Sequence, residues 1–363
     1  MKVKELIPPV IMENYHKKAM RKFYSNQCLQ YMRMNGIIDS PVDGEQEYLK
    51  MWSVFKTKVE KQSYRYYSHY CGKTPYIVPE NILHDYIEPK LNPVRYLGYY
   101  SDKNIFEKLL PSEYVIPTVL RRMGGGILDG SYKPVTDLRD ILLRQEGDLF
   151  LKPSVDTSSG IGVQKYVKHD NEYVEVRSQE PLSIEKLKSY GLNFIMQNAV
   201  MQHPYVSQLC SSSINTLRIA TYRSVIDEKP HVIGALIRIG KEGEYVDNAH
   251  AGGRFVAINK ETGELGKCAV DQYGRIYNEW NDINFLNSNF VYPHWDKVLQ
   301  CALEVTQSLH HMRLIQLDIA MDINNCPKII EYNVIGYSPW LYMTTGSIPL
   351  GEYTSEIIDY CCR

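Results

Sequence analysis

The chain has 363 residues, which is enough for two or three domains or one large multi-lobed enzyme. The formal net charge of −1 provides no general attraction to nucleic acid or to an anionic membrane surface, so neither is expected as a partner. The eight cysteines form no CxxC pair and no zinc-ligand spacing, which favours reduced thiols in a cytoplasmic protein.

Residues 1–95 are predicted to be mainly helical. Tyr15, Ala19 and Phe23 recur at every fourth position, which is the spacing of one helix face. The basic residues between them indicate a solvated face. The proline-rich segment 75–93 is predicted to be an extended connection. The N-terminus lacks the long apolar core of a signal peptide, so none is expected. The sequence also has no run of about 18 apolar residues that would predict a membrane span.

From about residue 96 the pattern changes to strands alternating with helices. Segments 148–153, 215–225 and 231–240 read as strands, because they are short and apolar or alternate between apolar and polar residues. Segment 295–312 has an apolar stripe typical of an amphipathic helix. The order of elements predicts an α+β fold with mostly antiparallel sheets.

Segment 315–333 predicts a hairpin around a two-residue turn at Asn324-Asn325. In that register Asp318 lies opposite Glu331, and Asn333 shares their face. Like charges placed opposite each other destabilise a sheet. One carboxyl group would be protonated, or a divalent cation would lie between them, unless the hairpin is exposed and both acids are simply solvated. Asp, Glu and Asn together offer the all-oxygen ligand set that Mg²⁺ prefers.

Segment 150–166, FLKPSVDTSSGIGVQKY, runs from a strand through a Ser/Gly-rich loop into a second strand. Lys152 lies at the end of the first strand. The loop residues Ser158, Ser159, Gly160 and Gly162 can present N–H groups and hydroxyls to phosphate oxygens. No GK[ST] follows the glycines, so this is not a Walker A loop. The alternative is a flexible hairpin loop without a ligand.

Taken in chain order, these segments resemble the ATP-grasp fold. Lys103, which follows Asp102 at the start of a predicted helix, resembles the first phosphate lysine of that fold, and Lys152 with its loop resembles the second. Asp318 followed by Glu331-x-Asn333 resembles the paired-magnesium motif. Within the superfamily, segments 201–223 and 235–265 and the hairpin are most similar to the sugar-transfer-associated ATP-grasp family, and the resemblance covers about residues 95–345.

The resemblance implies two α+β subdomains that clasp the nucleotide, preceded by the helical region. We expect an N-terminal region at 1–95, a small subdomain with the phosphate loop at 96–205, and a large subdomain with the metal site at 206–363. The implied cofactors are ATP and Mg²⁺.

Two positions depart from the family pattern. Gln197 stands where the family usually has an acidic residue at the adenine hinge, and Leu317 replaces a tryptophan before the first metal acid. Adenine recognition mostly uses backbone groups, so Gln197 and Val200 are still expected to contact ATP.

The implied activity is an ATP-dependent ligase that joins a carboxylate to an amine through an acyl phosphate. Lys103 and Lys152 would hold the α- and β-phosphates, and the loop would exclude water. The family points to small-molecule substrates, such as a sugar or an amino acid used in cell-surface polysaccharide biosynthesis. A kinase on the same fold and a non-catalytic nucleotide-binding protein are the alternatives, and the oligomeric state is left open.

Two arginines lie inside apolar strands, and arginine is rarely buried unpaired. Arg218 and Arg238 either form structural ion pairs or place a guanidinium on the transferring phosphoryl group or on a substrate carboxylate. The latter function is favoured for Arg238, because the resemblance places its strand beside the active site.

The segment VDNAHAGGR, residues 246–254, is a polar, glycine-rich loop between strands. We expect it to line the acceptor pocket. Its candidate residues are Asp247, Asn248, Gly252, Gly253 and His250, of which His250 is a candidate base for the amine or simply a solvated histidine.

Overall fold

The computed structural model describes residues 9–155, 161–244, 247 and 252–363. The N-terminal region begins with helices α1 (Pro9–Met34), α2 (Glu45–Trp52) and α3 (Gln62–Cys71). Tyr48 and Trp52 of α2 pack with Tyr64 and Tyr67 of α3 in a buried aromatic cluster. The predicted mainly helical region is therefore confirmed.

The proline-rich segment is helical, so the prediction of an extended connection was wrong. It contains α4 (Glu80–Ile82), a π-helical turn (Leu83–Ile87) and α5 (Glu88–Leu91). Pro79 precedes α4, and Pro89 lies in the first turn of α5. Pro79 is tolerated because the first turn of a helix leaves N–H groups without intrahelical partners. Pro89 comes just after the π-helical turn, so the helical run 80–91 lacks one N–H donor there.

The strands that follow form two large antiparallel sheets. Among the described residues, the first sheet has six strands in the order β2-β1-β6-β3-β4-β5. They are β1 (Thr118–Met123), β2 (Gly126–Asp129), β3 (Leu149–Pro153), β4 (Gln164–His169), β5 (Glu172–Glu175) and β6 (Phe194–Asn198). Before and beside this sheet lie α6 (Val94–Tyr100), α7 (Phe106–Leu109), α8 (Leu138–Leu143) and α9 (Ile184–Tyr190).

In the part of the chain that the structure describes, the second sheet has seven strands in the order β11-β10-β9-β8-β7-β14-β15. They are β7 (Leu217–Arg223), β8 (Pro230–Ile239), β9 (Arg254–Ile258), β10 (Leu265–Val270), β11 (Ile276–Tyr277), β14 (Leu314–Met321) and β15 (Pro327–Asn333). A separate hairpin pairs β12 (Glu279–Trp280) with β13 (Ile283–Asn284). The remaining helices are α10 (Pro204–Ser207), α11 (Trp295–Ser308), α12 (Pro339–Thr344) and α13 (Thr354–Cys362).

The seven-stranded sheet is covered on both faces. Leu217 and Ile219 of β7 pack in the core that includes the α11 residues Val298 and Ala302. Tyr222, at the end of the same strand, belongs to the core formed with the N-terminal helices, α12 and α13. The α+β class is confirmed, and the division of the chain at residues 95 and 205 stays a prediction. Among the described helices, none combines the length and the apolarity that crossing a membrane would require.

The β14–β15 hairpin has a different turn from the one predicted. Asp322 N–H donates to the Cys326 carbonyl at 3.0 Å, which closes a three-residue loop over 323–325 with a left-handed Asn325. The longer loop shifts the pairing by one residue, and a bulge between Ile329 and Glu331 shifts it back. The two differences cancel, so the predicted opposition of Asp318 and Glu331 is confirmed.

Asn92 ties the N-terminal region to this hairpin. Its buried side chain amide donates to the carbonyls of Leu314, at 2.6 Å, and Val334, at 2.7 Å. Its carbonyl oxygen accepts from the backbone N–H groups of Arg313, at 2.8 Å, and Leu314, at 3.0 Å. One side chain therefore satisfies four backbone groups next to β14 and β15.

We predict that Asn92→Ala destabilises the protein by on the order of 3 kcal/mol, because buried backbone donors and acceptors lose their partners. Urea unfolding of the purified variant measures this loss. Asn289→Ala, at an exposed asparagine, is the control and should change the free energy of unfolding by less than about 0.5 kcal/mol. Equal stability of the two variants would contradict the tethering role of Asn92.

Candidate active site

Lys103 joins the two sheets. Asp102 caps the turn that begins at Lys103, because its carboxylate accepts from the Asn104 N–H at 3.0 Å. The Lys103 N–H donates to the Ser154 carbonyl, just after β3, at 2.7 Å. These contacts direct the buried side chain across to β15, where Lys103 Nζ lies 2.6 Å from Glu331 Oε1.

Lys152 ends in the same place. It lies near the end of β3, and its Nζ donates to the Ile330 carbonyl at 3.4 Å. Burial and the nearby Lys103 ammonium lower the pKa of Lys152 to about 8, against the opposing attraction of Glu331. Two lysine side chains thus end beside the same stretch of β15, at Ile330 and Glu331, and a polyanion bound there would favour the charged form of Lys152.

Asp318 receives its cations from two neighbouring strands. Arg218 lies directly opposite Asp318 on β7, with its Nε 2.5 Å from Oδ1 and its Nη2 2.9 Å from Oδ2. Arg238, on β8, places its Nη2 3.0 Å from the same Oδ2. Both arginines therefore form ion pairs, which was one of the two alternatives considered from the sequence. Both also lie beside the carboxylate pair.

The repulsion between the opposed carboxylates is offset by these cations. Asp318 is bound by two guanidinium groups, and Glu331 by an ammonium group. Each carboxylate therefore has at least one cation within contact distance, and this attraction opposes the repulsion between the two acids. The pair is also not a solvated surface feature, since Asp318 is only 2% exposed.

The residues fit a magnesium ion. Asp318, Glu331 and Asn333 lie near the end of the hairpin, and Asn333 Nδ2 is buried without a hydrogen-bond partner among the described residues. A half-turn of that amide would present its oxygen at the same position. The described residues contain no cluster of three or more His, Cys, Asp or Glu suited to a metal. Two carboxylates and one amide are nonetheless a ligand set that Mg²⁺ accepts, together with water and phosphate oxygens.

Not all of the predicted nucleotide-binding residues are seen to contact the carboxylate pair or its lysines and arginines. Gly162 has a φ of 86°, and its carbonyl accepts from the Tyr190 hydroxyl at 2.5 Å. The buried Gln197 donates to the Ile116 carbonyl at 3.1 Å, so its side chain is used within the protein. Val200 lies just after β6 and is half-buried. Ser158, Ser159 and Gly160 lie outside the described residues.

The predicted acceptor residues separate into two groups. Asp247 joins the site, because its Oδ2 lies 3.5 Å from Arg238 Nε and accepts from the Thr216 N–H at 3.0 Å. Gly252 and Gly253 offer their carbonyls to Arg254 Nη1 at 2.9 and 3.0 Å. Asn248 and His250 lie outside the described residues.

Two site residues were missed from the sequence. Thr216 contacts both Asp247 and Arg238. The Gln316 side chain oxygen accepts from Arg218 Nη1 at 3.3 Å and from the Ser338 N–H at 3.1 Å. Gln316 lies two residues before Asp318 on β14. Thr216 lies directly before β7, two residues before Arg218. The two-residue period of a strand was therefore the signal that would have found them.

Comparisons with known proteins found a matching family model and several similar solved structures. The model of a family described as "Sugar-transfer associated ATP-grasp" matches residues 82–345. Similar solved structures include D-alanine–D-alanine ligase from Bacillus anthracis, with 12% identity and a TM-score of 0.38 over 73% of this chain and 66% of that chain. VanG D-Ala:D-Ser ligase from Enterococcus faecalis has 12% identity and a TM-score of 0.40, over 72% of this chain and 60% of that chain.

A further solved structure is that of the ATP-grasp ligase PsnB complexed with minimal precursor. It has 13% identity and a TM-score of 0.41, over 74% of this chain and 63% of that chain. This chain spans less than two thirds of the length of each of these three proteins. The search of curated proteins found no match.

We predict that Lys103→Met increases the affinity for Mn²⁺ in the absence of nucleotide by roughly tenfold, because removing one partner leaves the Glu331 carboxylate uncompensated. Isothermal titration calorimetry with MnCl₂ measures the change. Lys90→Met, at an exposed lysine, should bind Mn²⁺ as the wild type does. Unchanged Mn²⁺ affinity in Lys103→Met would show that the ammonium and a metal do not compete for Glu331.

Proposed function

Since this chain belongs to the sugar-transfer associated ATP-grasp family, we propose that it is an ATP-dependent carboxylate–amine ligase. The predicted ATP-grasp fold is confirmed by the same match. The observation that carries the proposal is the convergence of Lys103 and Lys152 on β15, at Glu331 and Ile330, directly beside Asp318 and its arginines. Phosphoryl transfer needs this combination of phosphate cations and metal-binding oxygens, because its catalysis is mainly positioning and charge neutralisation.

The proposed reaction has two steps. A carboxylate oxygen of the first substrate attacks the γ-phosphorus of ATP, and the bond to the β-phosphate oxygen breaks to release ADP. The amine nitrogen of the second substrate then attacks the acyl carbon, and inorganic phosphate leaves as the amine loses a proton. The products are an amide, ADP and phosphate.

The residues of this chain have separate tasks in that scheme. Lys103 and Lys152 bind the phosphates of ATP, and Arg238 stabilises charge on the transferring phosphoryl group. Asp318, Glu331 and Asn333 would hold magnesium, which when bound would neutralise phosphate charge. Other residues that we propose for the nucleotide are Ser158, Ser159, Gly160, Gly162, Gln197 and Val200, and those that we propose for the acceptor are Asn248, His250, Gly252 and Gly253.

The substrates that we propose are small molecules: a carboxylate and an amine, one of them a sugar or an amino acid used in cell-surface polysaccharide biosynthesis. The family description supports the sugar connection. We also propose a cytoplasmic location, in keeping with the cysteine pattern.

Hydroxylamine trapping tests the acyl-phosphate step without knowledge of the amine. The protein is incubated with ATP, Mg²⁺, hydroxylamine and a panel of amino acids and sugar acids. A ligase gives ADP and a hydroxamate in equal amounts, because hydroxylamine replaces the amine at the activated carboxyl group. Iron(III) detects the hydroxamate, and a coupled assay measures ADP.

The control for this experiment is Glu331→Gln, which keeps the side chain volume and removes the charge. We expect ADP and hydroxamate formation to fall by about 10² or more, the effect of losing one electrostatic group at a reacting centre. Glu264→Gln, at an exposed position directly before β10, should retain both. A stable phosphorylated acceptor without hydroxamate would identify a kinase instead, and no ADP with any substrate would favour a non-catalytic nucleotide-binding protein.

We predict that Lys152→Met weakens the binding of MgADP by about 10- to 100-fold, the loss expected for one charge-assisted hydrogen bond to phosphate. Calorimetry with ADP and Mg²⁺ measures the affinity. The control is Lys165→Met, a half-buried lysine of the same sheet that pairs with Asp148 instead. If both variants bind like the wild type, Lys152 does not contact the nucleotide.

A further inference from the structure

Arg238 is held by more than the carboxylate pair. Its backbone N–H donates to the Thr216 carbonyl at 2.8 Å. Its side chain donates to Thr216 Oγ1 from Nε, at 2.9 Å, and from Nη2, at 2.6 Å. Thr216 is 1% exposed, so water does not compete for these contacts. Arg238 is therefore fixed between Thr216 and Asp318.

The direction of the hydrogen bonds depends on Asp247. Its Oδ2 accepts from both the N–H and the hydroxyl of Thr216. A guanidinium group only donates and an ionised carboxylate only accepts, while a hydroxyl has one proton to give. The Thr216 hydroxyl must therefore give its proton to Asp247 and turn its lone pairs towards Arg238. Asp247 thus determines that Thr216 is an acceptor for Arg238.

Asp247 also balances charge. Arg218 and Arg238 both contact Asp318, so two guanidinium groups would share one carboxylate without a second acid. Asp247 is 7% exposed and lies 3.5 Å from Arg238 Nε. The charge of the Arg238 guanidinium group is therefore shared between Asp318 and Asp247.

The described residues before and after the loop of Asp247, up to 243 and from 252, have side-chain contacts of their own. On one side, Glu242 accepts from the Ser211 hydroxyl at 2.7 Å, and the Gly243 N–H donates to Ser212 Oγ at 2.8 Å. On the other side, Arg254 holds the carbonyls of Gly252 and Gly253, and its guanidinium carbon lies 4.3 Å from the ring centre of Tyr277 and 4.2 Å from that of Trp280. These contacts belong to the described residues on either side of the loop that contains Asp247.

We infer that Asp247 and Thr216 are positioning residues that orient Arg238 towards the transferring phosphoryl group. The inference rests on the proposed function and replaces the acceptor-binding role first expected for Asp247. A residue that binds the acceptor would change the affinity for that substrate. A residue that orients Arg238 changes the response to the transferring phosphoryl group and leaves the affinity for MgADP as it was.

The test uses MgADP with aluminium fluoride, which mimics the phosphoryl group in transfer and needs no acceptor. The measured quantity is the factor by which aluminium fluoride tightens MgADP binding, obtained by calorimetry. Asp247→Asn removes the charge with little change in shape, and Thr216→Val removes the hydroxyl. We expect each to reduce that factor by about tenfold or more, as the loss of an oriented electrostatic donor does, with MgADP affinity within about twofold of wild type.

Two further variants separate positioning from general structural damage. Thr216→Ser restores the hydroxyl, so it should regain most of the aluminium fluoride response. Asp271→Asn is a matched control, because Asp271 is also buried and accepts from backbone N–H groups, those of Tyr273 and Arg275, outside the site. It should respond as the wild type does.

The outcomes distinguish this inference from the proposed function. A wild-type protein that binds no MgADP overturns both. A wild type that binds MgADP and responds to aluminium fluoride, with Asp247→Asn and Thr216→Val responding equally, overturns the inference alone. Selective loss in these two variants, with recovery in Thr216→Ser, supports it.

Discussion

Two carboxylates, Asp318 and Glu331, face each other across the β14–β15 hairpin, and the polar contacts around them follow from balancing that charge. Like charges at this separation are unfavourable unless cations lie within contact distance. Asp318 obtains its cations from within its own sheet, on the next two strands. Glu331 obtains its cation from Lys103, which lies outside that sheet and is tied to the end of β3. The charge balance of one hairpin therefore also links the two sheets.

The same arrangement explains why the site suits a polyanion. Lys152 adds a further ammonium group beside Lys103, and its burial lowers its pKa. With Arg218, Arg238 and the two lysines set against Asp318, Glu331 and Asp247, the described cations exceed the carboxylates by one. Phosphate oxygens would relieve the repulsion between the lysines. A metal would take over part of the neutralisation that the lysine and arginines provide on the carboxylates. Nucleotide binding and catalysis would then need the lysines, arginines and carboxylates to change partners without moving far from their present positions.

Support for this site extends far along the chain. Asn92, at the end of the N-terminal helices, satisfies backbone groups beside both strands of the hairpin. Asp247 and Thr216 hold Arg238 from the opposite side. These residues attach the site to rigid elements, because each satisfies buried polar groups that have no access to water. The relative position of the two carboxylates therefore depends on the whole seven-stranded sheet and on the helices that cover it.

The sequence alone determined the type of fold, the hairpin and the charged groups of the site. Periodicity identifies strands and helices, and ordered Lys, Asp, Glu and Asn positions carry the family resemblance. It did not determine the three-residue turn or the bulge near Ile330, because the apolar residues around that bulge read equally well in either register. It also did not reveal the helix in the proline-rich segment, where Pro79 precedes the helical run and Pro89 comes just after its π-helical turn. Only the tertiary structure decided which cation meets which carboxylate, since that depends on strand order and on contacts between residues far apart in the chain.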